Sequence, residues 1–102
     1  MTCFEWDPAK ALANQRKHRV RFDDAMHVFE DPYALFDQDQ VDETGERRWL
    51  GIGLAGGVAV LLVAHTVRDA DGDEIIRLIS ARLATRKERK RYEQTRAEDF
   101  SG

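Results

Sequence analysis

The sequence predicts an α+β domain: an antiparallel four-stranded meander with a short N-terminal strand before it, two N-terminal helices on one face, and a C-terminal helix. Three observations predict it. Phe22, Ala25, Met26 and Phe29 recur at the i, i+3, i+4, i+7 spacing of one helix face. From residue 33 the period changes, and strand-like runs are separated by polar or glycine turns around an apolar stretch at 58–63. Thr85 and Glu88 then carry the spacing of a capping box, which opens a last helix.

Each element has a local cause. Phe4 and Trp6 alternate with Glu5 and Asp7, the period of a half-buried strand. Asp7 can accept from the free N–H groups of a helix start, and Pro8 at the first helical position loses no needed donor, so a helix is expected over 8–17. Its apolar face, Ala9, Leu12 and Ala13, is thin, and its stability must come from packing. The second helix carries the Phe22, Ala25, Met26 and Phe29 face; Asp23 can cap it and Pro32 ends it. Strands follow at 33–41 and 47–54, joined by a polar turn at 42–46. Gly56-Gly57 gives a tight hairpin into a strand over 58–68, and the turn at 69–73 leads into a last strand over 74–83. The final helix runs from Arg86 into the mid-nineties. With little apolar besides Tyr92, it should lie on the surface.

The chain has 102 residues, enough for one domain over 1–97 with a frayed tail at 98–102. Its longest apolar stretch, 54–64, is shorter than the roughly 20 residues a membrane helix needs. Cys3 is the single cysteine, which excludes an internal disulfide and a cysteine-based zinc site. A cytoplasmic protein without membrane contact or cofactor is expected. The net charge of −3 argues against a nucleic-acid partner only as an average. Residues 1–32 carry five Lys/Arg and six Asp/Glu, 33–76 three and nine, and 77–102 eight and four, giving −1, −6 and +4. Arg16, Lys17, Arg19 and Arg21 form a further basic cluster within the first segment.

No nucleophile elbow, phosphate-cradling glycine loop or HExxH helix is present. The Asp69, Asp71, Asp73 alternation lacks the glutamate a calcium loop needs at its twelfth position, Ser80, and reads as a hairpin turn. What remains is a set of cations within strand-like segments: Arg47, Arg48, His65, Arg68, Arg77 and Arg82. Charges are rarely buried under a sheet, so one sheet face is expected to be open and basic, suited to phosphate. Alternation sets a limit, because His65 and Arg68 differ in parity, as do Arg77 and Arg82, and a regular sheet sends each pair to opposite faces. Only a bulge or a strand end brings both members of a pair together. Arg86, Lys87, Arg89, Lys90 and Arg91 can contact phosphate or dock an acidic partner. His65, amid Val63, Ala64 and Val67, reads more readily as a satisfied, partly buried ring than as a catalyst, while His18 and His27 fit a helix end and an exposed face.

Phe4-Glu5-Trp6-Asp7, Lys17-His18 leading into Phe22-Asp23-Asp24-Ala25, Glu46 with Arg48-Trp49, Ile52-Gly53, His65-Thr66 with Arg68, and Ile79-Ser80-Ala81-Arg82 followed by Ala84-Thr85 and Glu88-Arg89 together resemble the BrnT family, in the same order over about residues 4–93. The resemblance implies a RelE-like fold and a bacterial ribonuclease toxin neutralised by a co-encoded BrnA antitoxin. It further implies a toxin-antitoxin complex, possible as a heterotetramer, that binds its promoter DNA through the antitoxin. It implies metal-independent cleavage, in which the RNA's own 2′-hydroxyl attacks the neighbouring phosphate. In that scheme His65 is the candidate base or acid, Arg68 and Arg82 stabilise the developing charge, and Tyr92 stacks or donates a proton. Arg48, Arg77, Arg86 and Lys87 hold RNA phosphates. One position departs from the family: Arg19 stands where a glycine usually follows the Lys-His pair. The alternative reading is a module that binds RNA or a protein partner without chemistry. A chain that contacts DNA directly is disfavoured, since no helix-turn-helix or ribbon pattern is present.

Overall fold

Five strands form one sheet in the order β1-β5-β4-β3-β2. The computed structural model describes residues 1–41, 45–57 and 59–101, so part of the expected turn at 42–46, and Val58, lie outside the described residues. The chain runs β1 (Thr2–Glu5), α1 (Pro8–His18), α2 (Phe22–Ala25), a 3-10 turn (Met26–Glu30), β2 (Leu35–Val41), β3 (Arg47–Ala55), β4 (Ala59–Ala70), β5 (Asp73–Leu83) and α3 (Arg86–Ser101). Strands β2 to β5 are the antiparallel meander the periodicity predicts. The short β1 lies parallel to β5 at the sheet edge and pairs with it over Glu74–Arg77.

The first and last helix starts follow their sequence signals, but the second does not: Arg21 stands at its N-cap with no side-chain bond, and Asp23 lies within the first turn instead of capping it. Asp7 accepts a hydrogen bond from the Ala9 N–H at 2.9 Å, with Pro8 as the first helical residue. The expected second helix divides: α-helical winding stops at Ala25, and the chain tightens into the 3-10 turn before Pro32. Asp31 then takes the extended conformation that the residue before a proline prefers.

Two cores sandwich the sheet. On one face Val20, Phe22, Ala25 and Val28 pack on Leu61, Val63, Ile76, Leu78 and Ala81. On the other face Tyr92 of α3 packs on Ile52 and Leu62, with Leu35, Leu50, Leu54 and Val60 around it. The thin apolar face of α1 is supplemented by a polar anchor. The buried Asn14 amide donates to the Val20 and Ala81 carbonyls at 3.0 and 2.8 Å and accepts from the Ala81 N–H at 3.0 Å. Because β1 pairs only with the first part of β5, Asn14 satisfies the strand edge where no neighbouring strand reaches.

α3 extends to Ser101, past the mid-nineties expected from sequence, since its Arg, Glu, Gln and Ala residues favour helix. Its capping box forms: Thr85 Oγ1 accepts from the Glu88 N–H at 3.2 Å, and Glu88 accepts from the Thr85 N–H at 2.8 Å.

Arg19 caps the end of α1 at φ 61°, in the left-handed region. Arg19→Gly removes the steric cost of a Cβ there and is expected to raise stability by about 0.5–1 kcal/mol. A urea titration checks this as a higher midpoint at an unchanged slope.

Candidate functional site

Strand register decides which of the strand cations meet. On β4, Leu62 faces Tyr92, so Ala64, Thr66 and Arg68 follow it on the α3 side, while Leu61, Val63, His65 and Val67 point to the N-terminal helices. Arg48 pairs with Thr66 and joins the α3 side. On β5 a regular ladder would separate Arg77 from Arg82. The register instead slips: Ala64 pairs with Ser80 and His65 with Leu78, so Ile79 is an extra residue. This bulge inverts the parity. Arg82, opposite Leu62, and Arg77, opposite Thr66, therefore share one face with Arg48 and Arg68.

Carboxylates hold three of these four arginines. Glu5, beside Arg77 in the β1–β5 ladder, accepts from Arg68 Nη1 at 2.5 Å and from Arg77 Nη1 at 3.5 Å, both through Oε1. The Arg68 guanidinium, with Arg77 beyond it, holds the Glu5 carboxyl below its usual range, and the same contact raises Arg68. Arg82 forks onto Glu88 at 2.8 and 3.1 Å. Arg48 is partly exposed and has no ion pair among the described residues. Arg86 and Lys87 are exposed on the first turn of α3. Lys87 lines a groove of about 450 Å³ between that helix and Leu50, Ile52 and Leu62.

The Arg82 pair holds the Glu88 carboxyl down to about 2, from an ordinary 4.5. A carboxyl lowered by folding adds stability above its unfolded pKa and loses it as pH falls through the folded value. Melting temperature is therefore expected to fall between about pH 4.5 and pH 2, and Glu88→Gln removes that part of the decline. Comparing pH-dependent melts of the two proteins measures it.

His65 and Tyr92 are not brought to the arginines. β4 carries no extra residue of its own, so His65 and Arg68 stay on opposite faces. His65 is 2% exposed, and its ring meets Phe29 edge-on at 4.8 Å and Phe36 at 5.9 Å. Nδ1 lies 3.1 Å from the Val63 carbonyl, and burial lowers its pKa, favouring a neutral ring. Gly51 makes this packing possible, because a Cβ there would stand 2.9 Å from the Phe36 ring. Tyr92 is also 2% exposed, and its hydroxyl donates to Asp31 Oδ2 at 2.6 Å. Burial and that bond push the Tyr92 hydroxyl up to about 12. Burial raises Asp31, but bonds from Tyr92 and from the Leu54 and Tyr33 N–H groups outweigh it and keep the carboxyl low.

Sequence reasoning did not single out Glu5 or Asp31 as partners. Glu5 had a signal, its strand parity opposite to Phe4; for Asp31 the sequence can mark only the turn onto the Tyr33 N–H, because its other partners lie 23 and 61 residues away. Among the described residues no group of three or more His, Cys, Asp or Glu could hold a metal ion, and no helix is long and apolar enough to cross a membrane.

The family described as the ribonuclease toxin, BrnT, of type II toxin-antitoxin systems matches residues 6–88. The chain belongs to the BrnT family. The crystal structure of the Brucella abortus ribonuclease toxin, BrnT, matches with a TM-score of 0.62 at 23% identity, over 84% of this chain and 99% of that one. That likeness shows the shared α+β fold. A comparison with curated proteins finds no match.

Proposed function

We propose that this BrnT-family chain is an endoribonuclease toxin that cuts RNA without a metal ion on the arginine face of its sheet. Neutralisation by a BrnA-type antitoxin, in a complex such as a heterotetramer that binds promoter DNA through the antitoxin, belongs to the same reading, as does action in the cytoplasm. The observation that carries it is the bulge at Ile79, which aligns Arg77 and Arg82 with Arg48 and Arg68 on the face the N-terminal helices leave free.

In the proposed step the 2′-hydroxyl gives its proton to water and its oxygen bonds to the neighbouring phosphorus, while the bond to the 5′-oxygen breaks and that oxygen takes a proton from water. The products are a 2′,3′-cyclic phosphate and a 5′-hydroxyl end. Negative charge accumulates on the phosphoryl oxygens, and fixed cations there lower the barrier more than any other single contribution. Arg68 meets this charge together with Arg77, its neighbour across the β4–β5 ladder. Arg82, opposite Leu62 and clamped by Glu88, stands about 20 Å along the strand from Arg68 and holds a more distant phosphate. Arg48, Arg86 and Lys87 hold flanking phosphates as forks or point charges. His65 and Tyr92 are left out, since one ring is buried on the opposite face and the other hydroxyl is committed to Asp31.

A second reading, a module that binds RNA or a protein partner without chemistry, is favoured by one observation. No histidine joins the arginine face among the described residues: His65 is on the other face, His18 ends α1, and His27 bonds Glu30 in the 3-10 turn. Incubating the purified chain with RNA, with and without a chelator, separates the readings. Cyclic-phosphate products that persist under chelation support the nuclease; binding without products supports the module.

A further inference from the structure

Glu5 is a third charged group at the arginine pair, and we propose that it is a positioning residue that sets Arg68 and Arg77 as one convergent site for a single RNA phosphate. This rests on reading the arginine face as the RNA site.

The geometry is fixed by three paired strands. Glu5 lies across from Arg77 in the parallel β1–β5 ladder, and Arg68 lies across from Ile75, two residues before Arg77, in the β4–β5 ladder. One oxygen, Oε1, receives Nη1 from both guanidiniums. Each guanidinium has five N–H donors, and Glu5 engages only Nη1 of each, so it fills neither fork; Glu46 also attracts Arg68, through its charge. Without that carboxylate, two like charges on neighbouring strands repel, and long side chains that are 44% and 41% exposed turn apart into water. Glu5 therefore orders the two cations before RNA arrives, which reduces the freedom lost on binding. Its carboxyl, held low by the same arginines, stays ionised and suits holding them better than accepting a proton.

A double-mutant cycle on the full chain tests this. The probe is a single-stranded RNA oligonucleotide with 2′-O-methyl groups, which binds but cannot be cut. Glu5→Gln is expected to weaken binding about tenfold in the wild-type background and less than about twofold once Arg68 and Arg77 are both alanine. Glu5→Asp, which keeps the charge, is expected to recover part of the loss. A merely structural role costs the same in both backgrounds, and that result overturns the proposal. Tighter binding by Glu5→Gln also overturns it, because Glu5 would then compete with phosphate. If Glu5→Gln fails to fold, Glu5→Asp carries the cycle, with equal loss in both backgrounds again decisive. Absence of RNA binding by the wild-type chain overturns both this inference and the reading beneath it. Binding without cleavage of unmodified RNA overturns the nuclease reading alone.

Discussion

Arg68→Ala is expected to slow RNA cleavage by about 10²–10³-fold, the size of effect seen when one fixed donor to a developing oxyanion is removed. The fold is expected to survive. Arg68 is an exposed residue near the end of β4, its partner Glu5 is only part-buried, and surface ion pairs contribute little to stability. Cleavage rates for wild type and variant, each shown folded by its melting curve, check this. Arg48→Ala is expected to weaken RNA binding with a smaller effect on the rate at saturating RNA, because a phosphate-holding cation contributes to ground state and transition state alike. An unchanged rate for Arg68→Ala contradicts the placement of the site.

Tyr92→Ala is expected to have the largest effect on stability, a loss of about 3–5 kcal/mol, as for other large aromatic side chains removed from a core. Among the described residues Tyr92 is the one fully buried side chain that α3 contributes to the core over Ile52 and Leu62. Further contacts of α3 are polar and nearer solvent, among them Glu88 with Arg82, Arg91 with Asp37, and Arg96 over the Tyr33 ring. Tyr92→Phe keeps the ring and removes one donor to Asp31, which still accepts from Leu54 and Tyr33, so a cost of about 1–2 kcal/mol is expected. Because the hydroxyl is committed to Asp31, Tyr92→Phe is expected to cleave RNA at the wild-type rate where it is folded. Urea titrations and cleavage assays on the same preparations separate the two roles. A large loss of rate in folded Tyr92→Phe returns the hydroxyl to the chemistry.

Local signals in the sequence carried the fold. Asp7-Pro8, Thr85 with Glu88, and Gly56-Gly57 act within a few residues, and the caps form and both glycines turn at positive φ. The Asp69–Asp73 alternation turns tightly at Asp71 and Gly72, both at positive φ. What the sequence left open depends on register between distant strands. Parity required a bulge if Arg77 and Arg82 were to meet, but nothing local marks Ile79 as the extra residue, since no glycine or proline stands there. The same rule separated His65 from Arg68, and without a slip on β4 the separation holds. The parallel pairing of β1 with β5, which places Glu5 at the arginines, joins residues about 72 apart and has no local signature. Pro32 accounts for the extended Asp31 that ends the 3-10 turn, whereas the change from α to 3-10 winding after Ala25 has no mark in the apolar spacing.

The central claim is that RNA meets the sheet on the face of Arg48, Arg68 and Arg77. Side-chain Nε–Hε resonances of arginine, followed by NMR during titration with the uncleavable RNA oligonucleotide, test it most directly. The account predicts that Arg48, Arg68 and Arg77 shift together and saturate at one RNA concentration, while Arg16, Arg19 and Arg21 beside α1 stay close to their free positions. Shifts confined to Arg16, Arg19 and Arg21 would contradict it.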